Sequence, residues 1–395
     1  MARFVQKIEN DDIQKRIQRH KRQKLLIITG AVVVLAIVCV CLVHAYLNRN
    51  FNSYDVIKAI EREDAGSVQY LPYNDKVLKV SRDGASAIDS SGNILFNGSY
   101  EMRNPLVDIC ENYIAVADRG GYDIYVFDGE DSGKKVTVTL PILQVQVARQ
   151  GVVAVLMEDK DSNVIQLYRT DDSVDTMLVD NRTYVENNGF PVSFALSDDG
   201  KKMVTCYIRV KNGVLQNQVT FYNFSEVGQN VVNNMVGMKD YGSTIVADVA
   251  FIGNDTVCVY TESGFEVFSM TEKNKELFSE EFEKDIVSVF HNESYIGVVL
   301  ENLTEESKYQ VEVYSAGGDH VLSKSIDYTY DTVRIAEKEI LFYSQNEGHI
   351  LKLNGVEKLS LQFSVNVTEL LPLNNYNKYY LVEDNQIDII KLTEE

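Results

Sequence analysis

Residues Tyr113–Lys134 read YIAVADRGGYDIYVFDGEDSGK. Two runs dense in apolar and aromatic residues each end in a turn rich in Gly and Asp. In YIAVA both alternating sets are apolar: Ile114 and Val116 on one face, Tyr113, Ala115 and Ala117 on the other. A strand with one wet face alternates apolar with polar residues, so this strand expects cover on both faces. The Gly and Asp turns supply the backbone freedom of tight hairpins.

The same phrase starts at Val77, Tyr113, Val152, Met203, Val257, Tyr295, Ile340 and Tyr379. The gaps are 36, 39, 51, 54, 38, 45 and 39 residues, a mean of about 43. A period of 40 to 45 with short strands is the mark of propeller blades, while helical solenoids share the period but not the strand pattern. A further short run precedes each phrase, as in PLVDIC and LQVQVA, and a fourth follows most of them, as in KVTVTL and KLSLQF. Four strands make a blade, with the preceding run innermost. The fold expected is all-β, a β-propeller of eight blades with seven as the alternative, preceded by one transmembrane helix.

The eighth phrase ends at Leu392 with no room for a fourth strand. Ser53–Glu63, SYDVIKAIERE, offers a strand to close the ring or, equally, a short helix. A ring closed by both chain ends leaves no exposed sheet edge at the join.

Residues 25–47, LLIITGAVVVLAIVCVCLVHAYL, contain no Asp, Glu, Lys or Arg. About 20 such residues cross a bilayer as a helix. The preceding 24 residues hold eight Lys or Arg and three Asp or Glu. By the positive-inside rule the N-terminus is cytoplasmic and the body extracellular, a single-pass signal anchor in the cell membrane. The organisation expected is a cytoplasmic basic tail over 1–24, a span over 25–47, a juxtamembrane linker or closing strand over 48–66, and the propeller over 67–395. Ile13 and Ile17 lie four apart among basic residues and suit an amphipathic segment beside an anionic leaflet.

The chain's net charge is −20, and the +5 tail leaves about −25 on the rest. Such a body repels phosphate backbones, which argues against nucleic acid as a partner. Cys110, Cys206 and Cys258 lie in strand-like runs and read as small buried side chains rather than a disulfide framework.

Chemistry-bearing patterns are sparse. His291, His320 and His349 are spaced 29 apart. The strand order puts His349 on the rim opposite the other two, so they read as surface turn residues and not as three ligands of one ion. Asp159, Asp161 and Asn163 alternate as in a calcium loop, but Val164 and Thr170 stand where Gly and Glu belong, so the segment reads as a hairpin turn. There is no phosphate loop and no nucleophile elbow. No catalytic residue, metal ligand or cofactor is therefore expected.

LSDDGKKMVTC, Leu196–Cys206, and AIDSSGNILF, Ala87–Phe96, resemble strand-turn-strand phrases of quinoprotein-type and WD-repeat-like propellers, without the Trp-Asp pair. The basic tail, the apolar span and the phrases SYDVIKAIER, YEMRNPLVDIC, QGVVAVLMED and VTFYNFSEVGQN resemble an uncharacterised family of Gram-positive single-pass membrane proteins. That resemblance implies topology and shape only.

The leading expectation is a non-enzymatic interaction or scaffolding module of the cell envelope, with a protein or wall component as partner. An envelope enzyme or quinoprotein-like cofactor binder is one alternative and a single-pass sensor another. The gaps of 51 and 54 add VDNRTYVENNGFP and YNFSEVGQNVVNNMVGMKDYGS to the third and fourth blades. Tyr184, Phe190, Tyr222, Phe224 and Tyr241 bring aromatic side chains to these segments. Aromatics are enriched at interface hot spots, so these five are the candidate partner-binding residues.

Overall fold

The computed structural model describes residues 2–62, 68–130, 132–170, 176–302, 304, 307–373 and 375–394. The side chains of 2–19, 23, 44, 47 and 176 lie outside that set, and with them the amphipathic reading of Ile13 and Ile17. The chain divides into Met1–Asn50 and Phe51–Glu395.

The first unit is one helix, Ala2–Leu47. Its stretch His20–Val43, with a mean hydropathy of 3.2, is long and apolar enough to cross a membrane.

The second unit is an eight-bladed propeller. Among the described residues its strands form eight antiparallel four-stranded sheets. Each of blades 1 to 7 uses four consecutive strands; blade 2, for example, is Pro105–Cys110, Tyr113–Asp118, Asp123–Phe127 and Lys134–Thr137. We call the strands of a blade A to D from the centre outward. Because neighbours run antiparallel, A–B and C–D turns share one rim. The B–C turns and the D–A connections between blades share the other.

Ser53–Glu61 is a strand, which settles the choice between strand and helix. It is strand D of blade 8, paired from Ser53↔Thr393 to Glu61↔Gln386 with a bulge at Val56/Lys58. Strands A to C of that blade are Val367–Pro372, Lys378–Glu383 and Gln386–Thr393. The two ends of the propeller chain therefore share one sheet, and the ring closes.

Burial follows from this stacking. Eight apolar clusters each join two adjacent blades, and both faces of the central strands are used. In Tyr113–Asp118, Ala115 and Ala117 pack toward blade 3 while Ile114 and Val116 pack toward blade 1. Full burial of one such aliphatic side chain contributes about 1.5–3 kcal/mol. Cys110, Cys206 and Cys258 are buried, free thiols.

The closing seam between blades 8 and 1 holds seven buried apolar residues among those described, fewer than any other seam. Polar ties supplement it. Tyr380 donates its hydroxyl hydrogen bond to the Asp75 carbonyl at 3.1 Å, and the Arg62 guanidinium lies 4.4 Å over the Tyr70 ring.

The chain enters the propeller at Phe51. Its N–H donates to the Lys358 carbonyl at 2.8 Å, and its ring sits in the cluster between blades 7 and 8. Lys358 itself is 1% exposed. Its ammonium reaches Glu339 Oε1 at 2.5 Å and the Tyr379 hydroxyl oxygen at 2.9 Å, and also meets the Tyr376 carbonyl. Burial pulls the Lys358 pKa below the usual lysine value, with Glu339 opposing that shift. The cluster ties strand D of blade 7 to strand B of blade 8, beside the point of chain entry.

Ring closure by Ser53–Glu61 makes a pair of predictions. Leu381→Ala, at a fully buried site of blade 8, should lower unfolding free energy by about 2–5 kcal/mol in urea titrations. Val56→Asp, on the exposed face of the closing strand, should change it by no more than about 0.5 kcal/mol. Equal losses at both sites would contradict this packing.

Candidate interaction surface

The two rims differ in how their polar groups are used. On the A–B rim, turns of successive blades bond to one another. Asn74 Nδ2 donates to Asn112 Oδ1 at 3.1 Å. Arg149 lies 3.0 Å from Glu111 and 3.5 Å from Asp198. The Asp199 N–H donates to Asn254 Oδ1 at 2.8 Å, Lys202 meets Asp255 at 2.6 Å, and Asn292 donates to the Glu337 carbonyl at 3.0 Å. These bonds form a collar around much of that rim.

The innermost strands are tied in the same manner. Asp108 Oδ2 of blade 2 accepts from the Val147 N–H at 2.7 Å, and Gln146 Oε1 of blade 3 accepts from the Leu196 N–H at 2.6 Å. Ser193 of blade 4 donates to Asp248 of blade 5 at 2.6 Å, and Arg334 of blade 7 pairs with Glu369 of blade 8 at 2.8 Å. A cavity of ≈ 590 Å³ lies against the A strands of blades 2 to 5, with Asp108, Asp198, Asp248 and His291 on its wall.

Burial pushes the Asp108 carboxyl up to about 6. The Val147 and Ile109 N–H groups oppose that shift, and the neighbouring Asp198 adds to it. His291 opens to the cavity but is flanked by protein, and desolvation lowers its pKa. Much of the acidic lining already serves as inter-blade ties.

The B–C rim of blades 3 and 4 is built differently. Blade 4 strands Lys202–Lys211 and Val214–Asn223 have 10 residues each, against five to eight for B and C strands elsewhere. Strand A first pairs at Phe190↔Ile208, and strand D last pairs at Asn217↔Gly242. Arg209, Val210 and Lys211 therefore pair only with Gln216, Leu215 and Val214. At about 3.4 Å per residue, this tip projects roughly 10 Å beyond its blade. Asn212 and Gly213, with φ of 54° and 76°, form its two-residue turn, which needs two left-handed residues.

Beside the hairpin, the D–A connection from Tyr184 to Phe190 carries the short helix Val185–Asn188. The Arg209 guanidinium donates to the Asn187 carbonyl at 3.2 Å. At Gly189, φ +88°, a Cβ would lie 2.4 Å from the Ile208 oxygen, so only Gly permits this approach.

Of the five aromatic residues picked out by sequence, Tyr184 and Phe190 are exposed, at 49% and 48%. The other three are held by the fold. Tyr222 is 3% exposed in the seam of blades 3 and 4, with its hydroxyl 3.1 Å from that of Tyr207. Phe224 packs against the same seam. Tyr241 packs between blades 4 and 5 and donates to Glu266 Oε2 at 2.7 Å. Burial, then Glu266, raises its pKa far above the ordinary tyrosine value, which keeps it a neutral donor. The alternation that makes a strand aromatic on both faces hid which aromatics reach water.

Sequence reasoning did not pick out Val210, Val214, Leu215 and Ile245, which are exposed on the same rim. The signal was available in the Asn-Gly turn between two unusually long apolar runs. Thirteen of the 20 exposed large apolar residues described in the propeller lie between Met177 and Ile245. Single exposed apolar residues need no explanation, whereas their concentration on one sector sets blades 3 and 4 apart from the rest of the ring.

The histidines do not converge, and no metal-binding group of His, Cys, Asp and Glu occurs among the described residues. His349 corrects the expectation of a surface turn residue. It lies within the strand Glu347–Lys352 at 6% exposure, stacked 3.6 Å from Tyr328 and bonded to Glu347 and Glu357. Burial opposes its charge, but the two carboxylates prevail and its pKa is raised. The Asp159–Ser162 turn is the expected hairpin, with Arg182 2.8 Å from Asp159.

Residues 47–392 match a family described as of unknown function, DUF5711. The chain belongs to that family. No curated protein matches it. Among solved structures, the propeller is similar to Chaetomium thermophilum Sqt1, solved bound to the N-terminus of the ribosomal protein L10. The identity is 13%, over 86% of this chain and 100% of that one, with a TM-score of 0.55. It is also similar to BamB from Moraxella catarrhalis, at 14% identity over 86% and 100% of the two chains and a TM-score of 0.51. Kluyveromyces lactis Hsv2 matches at 11% identity over 75% and 98%, with a TM-score of 0.50. These likenesses are of fold.

The raised Asp108 pKa sets a pH signature. A carboxyl whose folded pKa lies above its unfolded value adds stability below the unfolded value and loses it as pH rises through the folded one. Relative to Asp108→Asn, the wild type should therefore gain thermal stability as pH falls from about 7 to about 4. A melting-temperature difference that is flat across that range would contradict the desolvated site.

Proposed function

We propose that this protein is a membrane-anchored, extracytoplasmic interaction module of the cell envelope, without catalytic activity, whose B–C rim on blades 3 and 4 contacts a protein partner. The exposed apolar side chains that this rim presents, Tyr184, Phe190, Val210, Val214, Leu215 and Ile245, carry the reading. The opposite rim is occupied with bonds between its own turns, whereas Tyr184, Phe190 and the hairpin tip face solvent. Sqt1, solved bound to the N-terminus of the ribosomal protein L10, supports the idea that a propeller can hold a polypeptide. The basic N-terminal tail over 1–24 and the uncharged span over 25–47 support an N-in topology, with the propeller starting at Phe51.

Two experiments test this. Protease added to cells stripped of their wall should degrade the propeller and spare the tail; a protected propeller would refute the topology. A charged residue at the bilayer centre costs about 2.5–3.5 kcal/mol, so Val34→Asp should impair anchoring in the same cells. For the contact surface, a photocrosslinker in place of Tyr184 or Phe190 should yield one discrete partner band in intact cells. The double change Tyr184→Ala, Phe190→Ala should reduce partner recovery with a melting temperature within about 2 °C of wild type. Undiminished recovery would exclude this rim, and a purified protein that turns over an envelope substrate would overturn the non-enzymatic reading.

A further inference from the structure

We infer that the projecting hairpin of blade 4 receives an acidic, extended polypeptide segment, which adds to the open edge of Val214–Gln216 as a further strand. The inference rests on the reading of the blade 3 and 4 rim as a contact surface and names the chemistry of what binds there.

Three independent features converge on this element. The first is the unpaired edge. Strand D stops at Asn217↔Gly242, so Val214, Leu215 and Gln216 pair with strand B on one side and, among the described residues, with no strand on the other. On the inner side, the helix Val185–Asn188 and its bond from Arg209 lie beside the hairpin. Main-chain groups at an open edge form a template for an incoming strand. Strand D leaves this edge at a register shift at Asn217/Gln218, and no Pro lies in Val214–Gln216 to block it.

The second feature is apolar surface at the same place. Val210, Val214 and Leu215 are 70%, 51% and 39% exposed. With Tyr184 and Phe190 on the neighbouring D–A connection, they offer apolar surface to the side chains of such a segment.

The third feature is charge. The body of the protein carries about −25, yet Lys201–Phe224 contains four cations and no Asp or Glu. Two of them, Arg209 and Lys211, sit on the overhang itself. A second copy of the chain would bring Lys211 against Lys211 and one acidic body against another, so self-pairing is disfavoured. An anionic polymer without a peptide backbone would use the cations but neither the strand edge nor the apolar tip. An acidic extended peptide uses all three, and its charge would steer it to the basic hairpin tip.

The test uses the full chain in detergent and fluorescence anisotropy of labelled peptides. One probe alternates Glu with Val, a second alternates Lys with Val, and a third is polyglutamate of the same charge as the first. Two further versions of the Glu/Val peptide carry N-methyl groups on alternate amides, in the two possible registers. The Glu/Val peptide should bind, with the Lys/Val peptide and polyglutamate each weaker by about tenfold or more. One methylated register should lose binding while the other keeps it. Lys211→Glu and Val210→Asp should each weaken binding by about tenfold with unchanged thermal unfolding.

The inference is overturned if the Glu/Val peptide does not bind. It is equally overturned if the Lys/Val peptide binds as well, if neither methylated register matters, or if the hairpin variants bind like wild type. Crosslinking at Tyr184 and Phe190 then decides the rim reading separately, because those side chains lie outside the hairpin.

Discussion

Everything in the propeller depends on the pairing of Ser53–Glu61 with Gln386–Thr393. Without it, blade 8 would have three strands, and the edge of the C-terminal strand would be open. Among the described residues the seam it completes is the thinnest in apolar content, and like the neighbouring seam of blades 7 and 8, which holds Phe51, it joins residues from opposite ends of the propeller chain. Loop closure over such a separation is entropically costly, so the contacts around it must act together. Phe51 in the blade 7 and 8 cluster, the Lys358–Glu339–Tyr379 contact and the Tyr380–Asp75 bond lie within or beside blade 8 and serve that end. A buried lysine is a costly way to join two blades. Here it also accepts a fixed geometry from a carboxylate, a hydroxyl and a carbonyl, which defines register where the chain ends meet.

Most of this architecture was legible because two-sided burial writes itself into composition. YIAVA, VVAVLM and TVCVY are apolar on both alternations, and the two faces do pack on different neighbours. The closing strand was less legible. Its Val56, Ile57, Ala59 and Ile60 suit a helix face as well as a strand, and most of its residues are exposed on the outer edge. Only pairing to a strand more than 300 residues away decides between the two, and that information is non-local.

The exposed apolar sector was half legible. Long gaps in the repeat pointed to blades 3 and 4, where the exposed apolar residues are concentrated. The choice among aromatics was not available from pattern. Tyr222 and Tyr184 both stand near strand ends, yet one points into a seam against Tyr207 and the other into water. His349 failed for a related reason. Its carboxylate partners, Glu347 and Glu357, lie on its own and the neighbouring strand, and sequence spacing does not reveal that they enclose it.

The asymmetry between the rims follows from the same accounting of polar groups. Buried donors and acceptors must find partners, and on the A–B rim they find them in the next blade's turn. That rim gains rigidity and loses freedom to present groups outward. On the B–C rim, blade 4 extends its two central strands past their neighbours, so the tip side chains Val210, Val214 and Leu215 face solvent. A hairpin that only stabilised the ring would end level with its sheet, as the B–C turns of blades 1, 2 and 7 do with strands of five or six residues. Val210, Val214 and Leu215 of the overhang enter neither of blade 4's apolar seams, and Val210 is 70% exposed. Carrying apolar surface into water is unfavourable for an isolated domain, which makes association the physical context in which this element has a use.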